Sequence, residues 1–305
     1  MKTIIAVSGS KGVGKTSLCR YLHTLYEMRI GNLIYNDGSE IDHNANLVQY
    51  PDTGRTQVMI ERSGINYSVK LKSEADSGIF SFATKIKRLS VDILGLSQDG
   101  VFGSESSKNN SSLYSWDKMP IWARWTNSAY RSVLTSSGEY EVNSSEISKI
   151  KTENDLWIFC CDVNGMPSQL RSGPMTNREV MQVVGTDIFR NFFDRNVWVK
   201  STLDEILASN FGLCFIDDMR FDSEANTVLS NNGYILVLSR NLGENDAHES
   251  EKGISDYSIL SNPRVFHIPP YSDIMEKNMS VVSLIDEIIL NQVNNRVSTS
   301  QQVST

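Results

Sequence analysis

The sequence predicts an α/β fold built on a central, mostly parallel sheet. Three observations point to it. Thr3-Ile-Ile-Ala-Val-Ser8 is a nearly unbroken apolar run, the pattern of a parallel strand covered on both faces. A glycine-rich turn follows at once, and after it Leu18, Leu22 and Leu25 are spaced i, i+4, i+7, one face of a helix. Further short apolar runs, Leu213-Cys-Phe-Ile216 and Tyr234-Ile-Leu-Val-Leu238, read as buried strands later in the chain.

The turn itself is Gly9-Ser-Lys-Gly-Val-Gly-Lys-Thr16 and satisfies the phosphate-binding pattern Gly-x-x-x-x-Gly-Lys-Ser/Thr at every defined position. Gly9, Gly12 and Gly14 allow the backbone to turn tightly and bring its N–H groups close to oxygen atoms. Those amides and the positive end of the helix form an anion cradle from Gly12, Val13, Gly14, Lys15, Thr16 and Ser17. Lys15 is placed to reach β- and γ-phosphates, and the Thr16 hydroxyl to ligate Mg2+. With this loop the expected architecture becomes the three-layer fold of P-loop NTPases.

Composition bounds the rest. The 305 residues are 40% hydrophobic and carry a net charge of −7, which argues against a nucleic acid polymer or an anionic membrane as partner. No apolar run approaches the ~18 residues of a membrane span. The N-terminus reads as a strand rather than a signal peptide, because its apolar run ends in the glycine loop. Cys19, Cys160, Cys161 and Cys214 do not have the spacing of a zinc site and read as thiols of a reducing cytoplasm.

Taken in order, one domain over residues 1–295 is expected, with insertions at 27–78 and 104–175 and a disordered tail at 296–305. Within the first insertion, Gln57-Val-Met-Ile60 and Tyr67-Ser-Val-Lys-Leu71 alternate like hairpin strands, and Asn36-Asp-Gly-Ser39 and Asp52-Thr-Gly-Arg55 signal turns. From Ser81 a helix is expected through Leu94, ended by Gly95, with Lys85, Lys87 and Arg88 on or near its polar face. That basic cluster is either a solvated face or an anion contact. Residues 97–118 read as a polar loop, and Leu156-Trp-Ile-Phe-Cys-Cys161 as a buried strand followed by an Asp162-Val-Asn-Gly165 turn. An Asp-x-x-Gly after a strand also marks GTPase switches, but the guanine-specifying Asn-Lys-x-Asp is absent. Thr176-Asn-Arg-Glu179 is a capping box opening a helix through Ile188, and a further helix starts near Trp198. Asp217-Asp218, just past the Leu213 strand, offers a carboxylate for a Mg2+ shell. Arg220 offers a bidentate fork to phosphate, and Glu224 stands one helical turn on. Arg240 ends the Tyr234 strand where a lid could begin. Val265-Phe-His-Ile268 reads as an edge strand, and Val281 to Ile289 as a closing helix.

These blocks, in this order, resemble the deoxynucleoside monophosphate kinases of large tailed bacteriophages, a branch of the P-loop kinases. The resemblance rests on Gly9–Ser17, Ser81–Arg88, Thr176–Asp187, Phe193–Val199, Asp218–Glu224 and Asp246–Glu251, about a fifth of the chain. It implies helical acceptor and lid regions and transfer of the γ-phosphoryl group of ATP, with Mg2+, to a deoxynucleoside monophosphate for DNA precursor synthesis. It further implies a homodimer working in the host cytoplasm. By position, Lys11 and Lys87 or Arg88 would hold the acceptor phosphate. Arg178, Gln182, Gly185, Thr186 and Asp187 would line the acceptor pocket, and Trp198 would pack near its base or sugar. Asp218, Arg220 and Glu224 would sit at the phosphates and acceptor, with Lys15, Asp218 and Arg220 carrying catalysis and Thr16 and Asp218 the metal. Arg240 would belong to the ATP lid, and His248 to structure or lid. Where relatives carry Asp after the loop lysine, this chain has Thr16. Two other readings stay open: a P-loop ATPase or GTPase with water as acceptor, and a non-catalytic nucleotide-binding module.

Overall fold

The computed structural model describes residues 2–10, 12–39, 46–48, 58–62, 65–125, 131–238, 254–271 and 274–288. The chain divides into two compact units: residues 1–82 with 202–305, and residues 83–201.

The first unit holds a five-stranded sheet in the order Val265–Ile268, Tyr234–Leu238, Thr3–Ser8, Leu213–Met219, Ser77–Phe80. Every pairing in it is parallel. The first strand of the chain is therefore central, and the strand order reverses around it. Ligands of open α/β sheets bind at the carboxyl ends of strands beside such a reversal. Alternation decides the layers. Ile5, Val7, Leu213, Phe215, Leu236 and Leu238 belong to one core cluster with Leu18, Leu22 and Leu25 of the helix Lys15–Arg29. Val281, Ile285 and Ile288 join that cluster, in accord with the expected closing helix as far as residue 288. The intervening residues Ile4, Ala6, Cys214, Ile216 and Ile235 are buried too, so the strands are covered on both faces. The helix Asp222–Ser230 packs against the first strand and Tyr234–Leu238. The α/β fold with a central parallel sheet is thus as expected, and Val265–Ile268 is an edge strand.

The hairpin anticipated in the first insertion is present. Val58–Arg62 and Ile65–Leu71 pair antiparallel inside a four-stranded sheet with Leu33–Tyr35 and Asn46–Val48. The Asn36–Ser39 turn closes with Tyr35 N donating to Ser39 O at 3.0 Å, whereas the Asp52–Arg55 turn lies outside the described residues.

A buried carboxylate joins the first helix to the sheet edge. Glu27, 1% exposed, accepts from Ser77 N at 2.8 Å and Ser77 Oγ at 2.6 Å, and its other oxygen accepts from Asn32 Nδ2 at 2.6 Å. Glu27→Ala strands these donors in the interior. It is expected to cost about 3 kcal/mol of unfolding free energy, measured by urea titration.

The second unit corrects two sequence expectations. Residues 97–118 are not a loop: they form the helices Gln98–Phe102 and Glu105–Asn109 and the strand Ser111–Ser115, which pairs with Pro174–Thr176. The serines that read as loop are caps. Ser97 Oγ accepts from Gly100 N at 3.0 Å, and Ser104 Oγ from Ser107 N at 3.1 Å. Leu156–Cys161 is not a strand but part of the helix Glu153–Asp162. Thr152 and Asp155 form a capping box ahead of it, with Thr152 N donating to Asp155 Oδ2 at 2.9 Å and Asp155 N to Thr152 Oγ1 at 3.1 Å. Leu156 and Cys160, four apart, face a core of Trp125, Val133, Val142 and Ile150, while Trp157 and Ile158 stay exposed. Asp162 therefore ends a helix, which removes the context of a GTPase switch.

The expected helix from Ser81 runs over Ala83–Asp92, and Gly95 takes φ +65° beyond it. The Thr176–Glu179 capping box is present: Glu179 N donates to Thr176 Oγ1 at 3.2 Å and Thr176 N to Glu179 Oε2 at 2.8 Å. The helix Asn177–Gln182 continues as a π-helix over Val183–Phe193, and Val197–Ala208 follows. Among the described residues no helix is long and apolar enough to cross a membrane.

Candidate active site

In the first unit, the glycine loop leaves the carboxyl end of the central strand. Gly9 (φ +147°) is forced by space as well as angle: a Cβ there would lie 2.7 Å from Leu238 O and 2.9 Å from Val13 Cγ1. Gly12 and Gly14 take φ +75° and +86°, the left-handed region that side chains rarely adopt. Gly14 is the cap residue of helix Lys15–Arg29, and no side chain caps that end. The amino end of a helix, with its amides and positive dipole, favours an anion. Lys15, 9% exposed, arches back over the loop, its Nζ donating to Gly9 O at 2.7 Å and Ser10 O at 2.9 Å. Ser17 Oγ donates to Gly14 O at 2.9 Å. Lys11 and Arg240 lie outside the described residues, as do Asp246–Glu251 with His248.

Asp217 and Asp218 lie inside the strand Leu213–Met219 rather than past it. The register explains how they still reach the loop end of the sheet. Ala6 pairs with Ile216 and Ser8 with Met219, so two residues of this strand oppose Val7 alone. Such a bulge re-aims side chains next to functional sites. Asp218 Oδ1 accepts from Phe82 N at 2.7 Å and Oδ2 from Ser81 Oγ at 2.6 Å. It thereby anchors the end of the neighbouring strand. Glu224, 3% exposed, accepts from Arg220 N at 2.7 Å and Phe221 N at 3.0 Å. Its carboxylate holds the turn that presents Arg220.

Two residues with no signal in the sequence stand behind the loop. Tyr271 Oη donates to Val13 O. Lys277, 1% exposed, donates from Nζ to Gly14 O at 3.1 Å and Ser17 Oγ at 2.7 Å, and lies 5.7 Å from the Tyr271 ring centre. Burial lowers the Lys277 ammonium to a pKa of about 8.

The second unit holds the other expected residues. Arg178 is ion-paired with Glu105, and its Nε donates to Asn109 Oδ1 at 3.1 Å. Lys87 Nζ stands 5.7 Å from the Phe102 ring centre, and Arg88 is exposed. Gly185 is buried against Ile86, which a Cβ would approach to 3.2 Å. Its carbonyl accepts from Trp198 Nε1 at 2.9 Å. Trp198 lies 5.0 Å from Phe189 between ring centres, a tilted pair that fixes the indole. Gly185, Thr186 and Asp187 share the π-helical segment, a geometry that recurs at functional sites. Gln182 closes the α-helical part ahead of it.

Arg131, which carries no signal in the sequence, is a partly buried cation of the same unit. Its guanidinium lies 5.6 Å from the Trp125 ring centre, and its buried Nε has no partner among the described residues. Burial lowers its pKa and Arg171 adds to that, while Asp187 opposes it.

No described group of three or more His, Cys, Asp or Glu could hold a metal ion. Mg2+ at a phosphate site needs no such group, because it is bound mainly by substrate phosphates and water with one or two protein oxygens. The Thr16 hydroxyl and Asp218 are hard oxygen donors of that type.

Residues 124–261 match the model of a family described as deoxynucleotide monophosphate kinase. The matched span contains Arg131, Arg178, the π-helix, Trp198, Asp218, Arg220 and Glu224. The glycine loop and Ser81–Arg88 fall outside it. No curated protein matches the chain.

Proposed function

We infer that this chain, a deoxynucleotide monophosphate kinase, transfers the γ-phosphoryl group of ATP to the phosphate of a deoxynucleoside monophosphate, giving ADP and the diphosphate. The observation that carries this reading is the glycine loop with Lys15 at the carboxyl end of the central strand, in a chain whose residues 124–261 match that kinase family. The amides from Gly12 to Ser17 and the Lys15 ammonium bind and orient the donor phosphates. Mg2+, held by Thr16 and Asp218, would supply further neutralisation of phosphate charge. The acceptor oxygen is already anionic at neutral pH, so alignment and charge neutralisation do the work and no strong base is required.

For the acceptor, the reading assigns the phosphate to Lys11 and to Lys87 or Arg88. Arg178, Gln182, Gly185, Thr186 and Asp187 form the pocket, and Trp198, fixed by its bond to Gly185 O, packs against base or sugar. Glu224 acts by holding Arg220, and Arg240 belongs to the lid over ATP. The family resemblance further supports a homodimer serving phage DNA precursor synthesis in the host cytoplasm.

Arg220 separates a kinase from an ATPase. Arg220→Ala is expected to lower acceptor-dependent turnover roughly 10²-fold, the scale of a lost charge-stabilising donor, while basal ATP hydrolysis falls less. Parallel assays of ADP formation with and without acceptor check this. Equal losses in the two assays would remove Arg220 from the acceptor side.

A further inference from the structure

We propose that Lys277 is a positioning residue for the nucleotide phosphates, acting with Tyr271 from behind the glycine loop. The proposal rests on the reading that this loop holds ATP. A trans peptide sets its C=O and N–H on opposite sides. Tyr271 Oη donates to Val13 O, so the N–H of Gly14 is turned away from Tyr271. Lys277 Nζ donates to Gly14 O, so the N–H of Lys15 is turned away from Lys277. These are two of the amides that make an anion cradle at the helix start. The lysine comes close to Gly14, whose φ of +86° favours glycine: a Cβ there would stand 2.8 Å from Lys277 Nζ.

The charge of Lys277 has no structural partner to explain it. Among the described residues no carboxylate forms an ion pair with it, and its acceptors are one carbonyl and one hydroxyl. A buried ammonium paired only with neutral groups destabilises a fold. Its location beside a phosphate cradle supplies the missing counter-ion: the donor phosphates complete the site electrostatically, while Lys277 acts on them through the Gly14–Lys15 peptide and Ser17.

The test compares Lys277→Met, Lys277→Arg and Lys15→Ala with the unmodified protein. Three readouts are needed: melting temperature without nucleotide, ATP dissociation constant by calorimetry, and KM for each substrate. Lys277→Met leaves Gly14 O paired with Leu18 N at 3.0 Å and with Ser17 Oγ, and Ser17 Oγ, which loses its donor, keeps its own bond to Gly14 O. It is expected to melt at the same or a higher temperature while binding ATP roughly 10- to 100-fold more weakly, the scale of a lost charged hydrogen bond. KM for ATP rises and KM for the monophosphate stays within about twofold, since the loop serves the donor. Lys277→Arg, which keeps the charge, recovers part of the ATP affinity. Unchanged ATP binding by Lys277→Met, or a fall in melting temperature with equal losses for both substrates, overturns the proposal. ATP binding that survives Lys15→Ala undiminished overturns instead the assignment of the loop to ATP.

Discussion

Lys15→Ala is expected to abolish phosphoryl transfer, lowering turnover by roughly 10³-fold or more, while the protein keeps its fold. The catalytic loss follows from the chemistry. Phosphoryl transfer offers little covalent work for a protein, so removing a cation at the transferring group removes a large share of the catalysis. The intact fold follows from the contacts. Lys15 Nζ donates to Gly9 O and Ser10 O of its own loop, and these carbonyls lie at the mouth of the sheet rather than in the core around Leu18 and Leu22. Circular dichroism and melting temperature check the fold, and single-turnover transfer checks the chemistry. Substantial transfer by the alanine variant would mean that the glycine loop is not the donor site.

Asp218→Asn is expected to lower turnover by roughly 10²- to 10³-fold, the scale of one lost charge-stabilising group, and to raise the Mg2+ concentration needed for half-maximal rate. The amide is isosteric, and its remaining oxygen can still accept from Phe82 N or Ser81 Oγ, so the strand-end anchor is weakened but not removed. The loss therefore reports chiefly on charge. Asp217→Asn is the control from the same bulge. A larger loss from Asp217→Asn than from Asp218→Asn would move the metal role to Asp217.

The parts legible in the sequence were those whose cause is local. The glycine loop is written in consecutive residues, and its φ angles at Gly9, Gly12 and Gly14 are what the glycines permit. Buried parallel strands appear as apolar runs because both faces are covered, as at Thr3–Ser8 and Tyr234–Leu238. Leu156–Cys161 misled for the same reason: a six-residue apolar run does not distinguish a strand from a helix, and the deciding signal was the capping box at Thr152 and Asp155. Polar serines at 97 and 104 looked like loop because serine serves turns and helix caps alike.

The site divides along the same line. Asp218 was legible as a carboxylate near a strand end, but the bulge that aims it depends on pairing with Ala6 and Ser8, more than 200 residues away. Glu224 stood out by position, whereas its bonds to Arg220 N and Phe221 N show it shaping a turn. Lys277 and Tyr271 carried no signal, because their function arises only when the chain after the Val265–Ile268 edge strand returns to the loop. Nothing in the local sequence around residue 277 names Gly14 as its partner.

ADP production from Mg·ATP with and without each of a panel of deoxynucleoside monophosphates tests the kinase reaction most directly. A large, base-selective stimulation is expected, with the matching deoxynucleoside diphosphate appearing in step with ADP. ADP release that is indifferent to every monophosphate, or binding of ATP with no turnover under any of them, would contradict the kinase reaction.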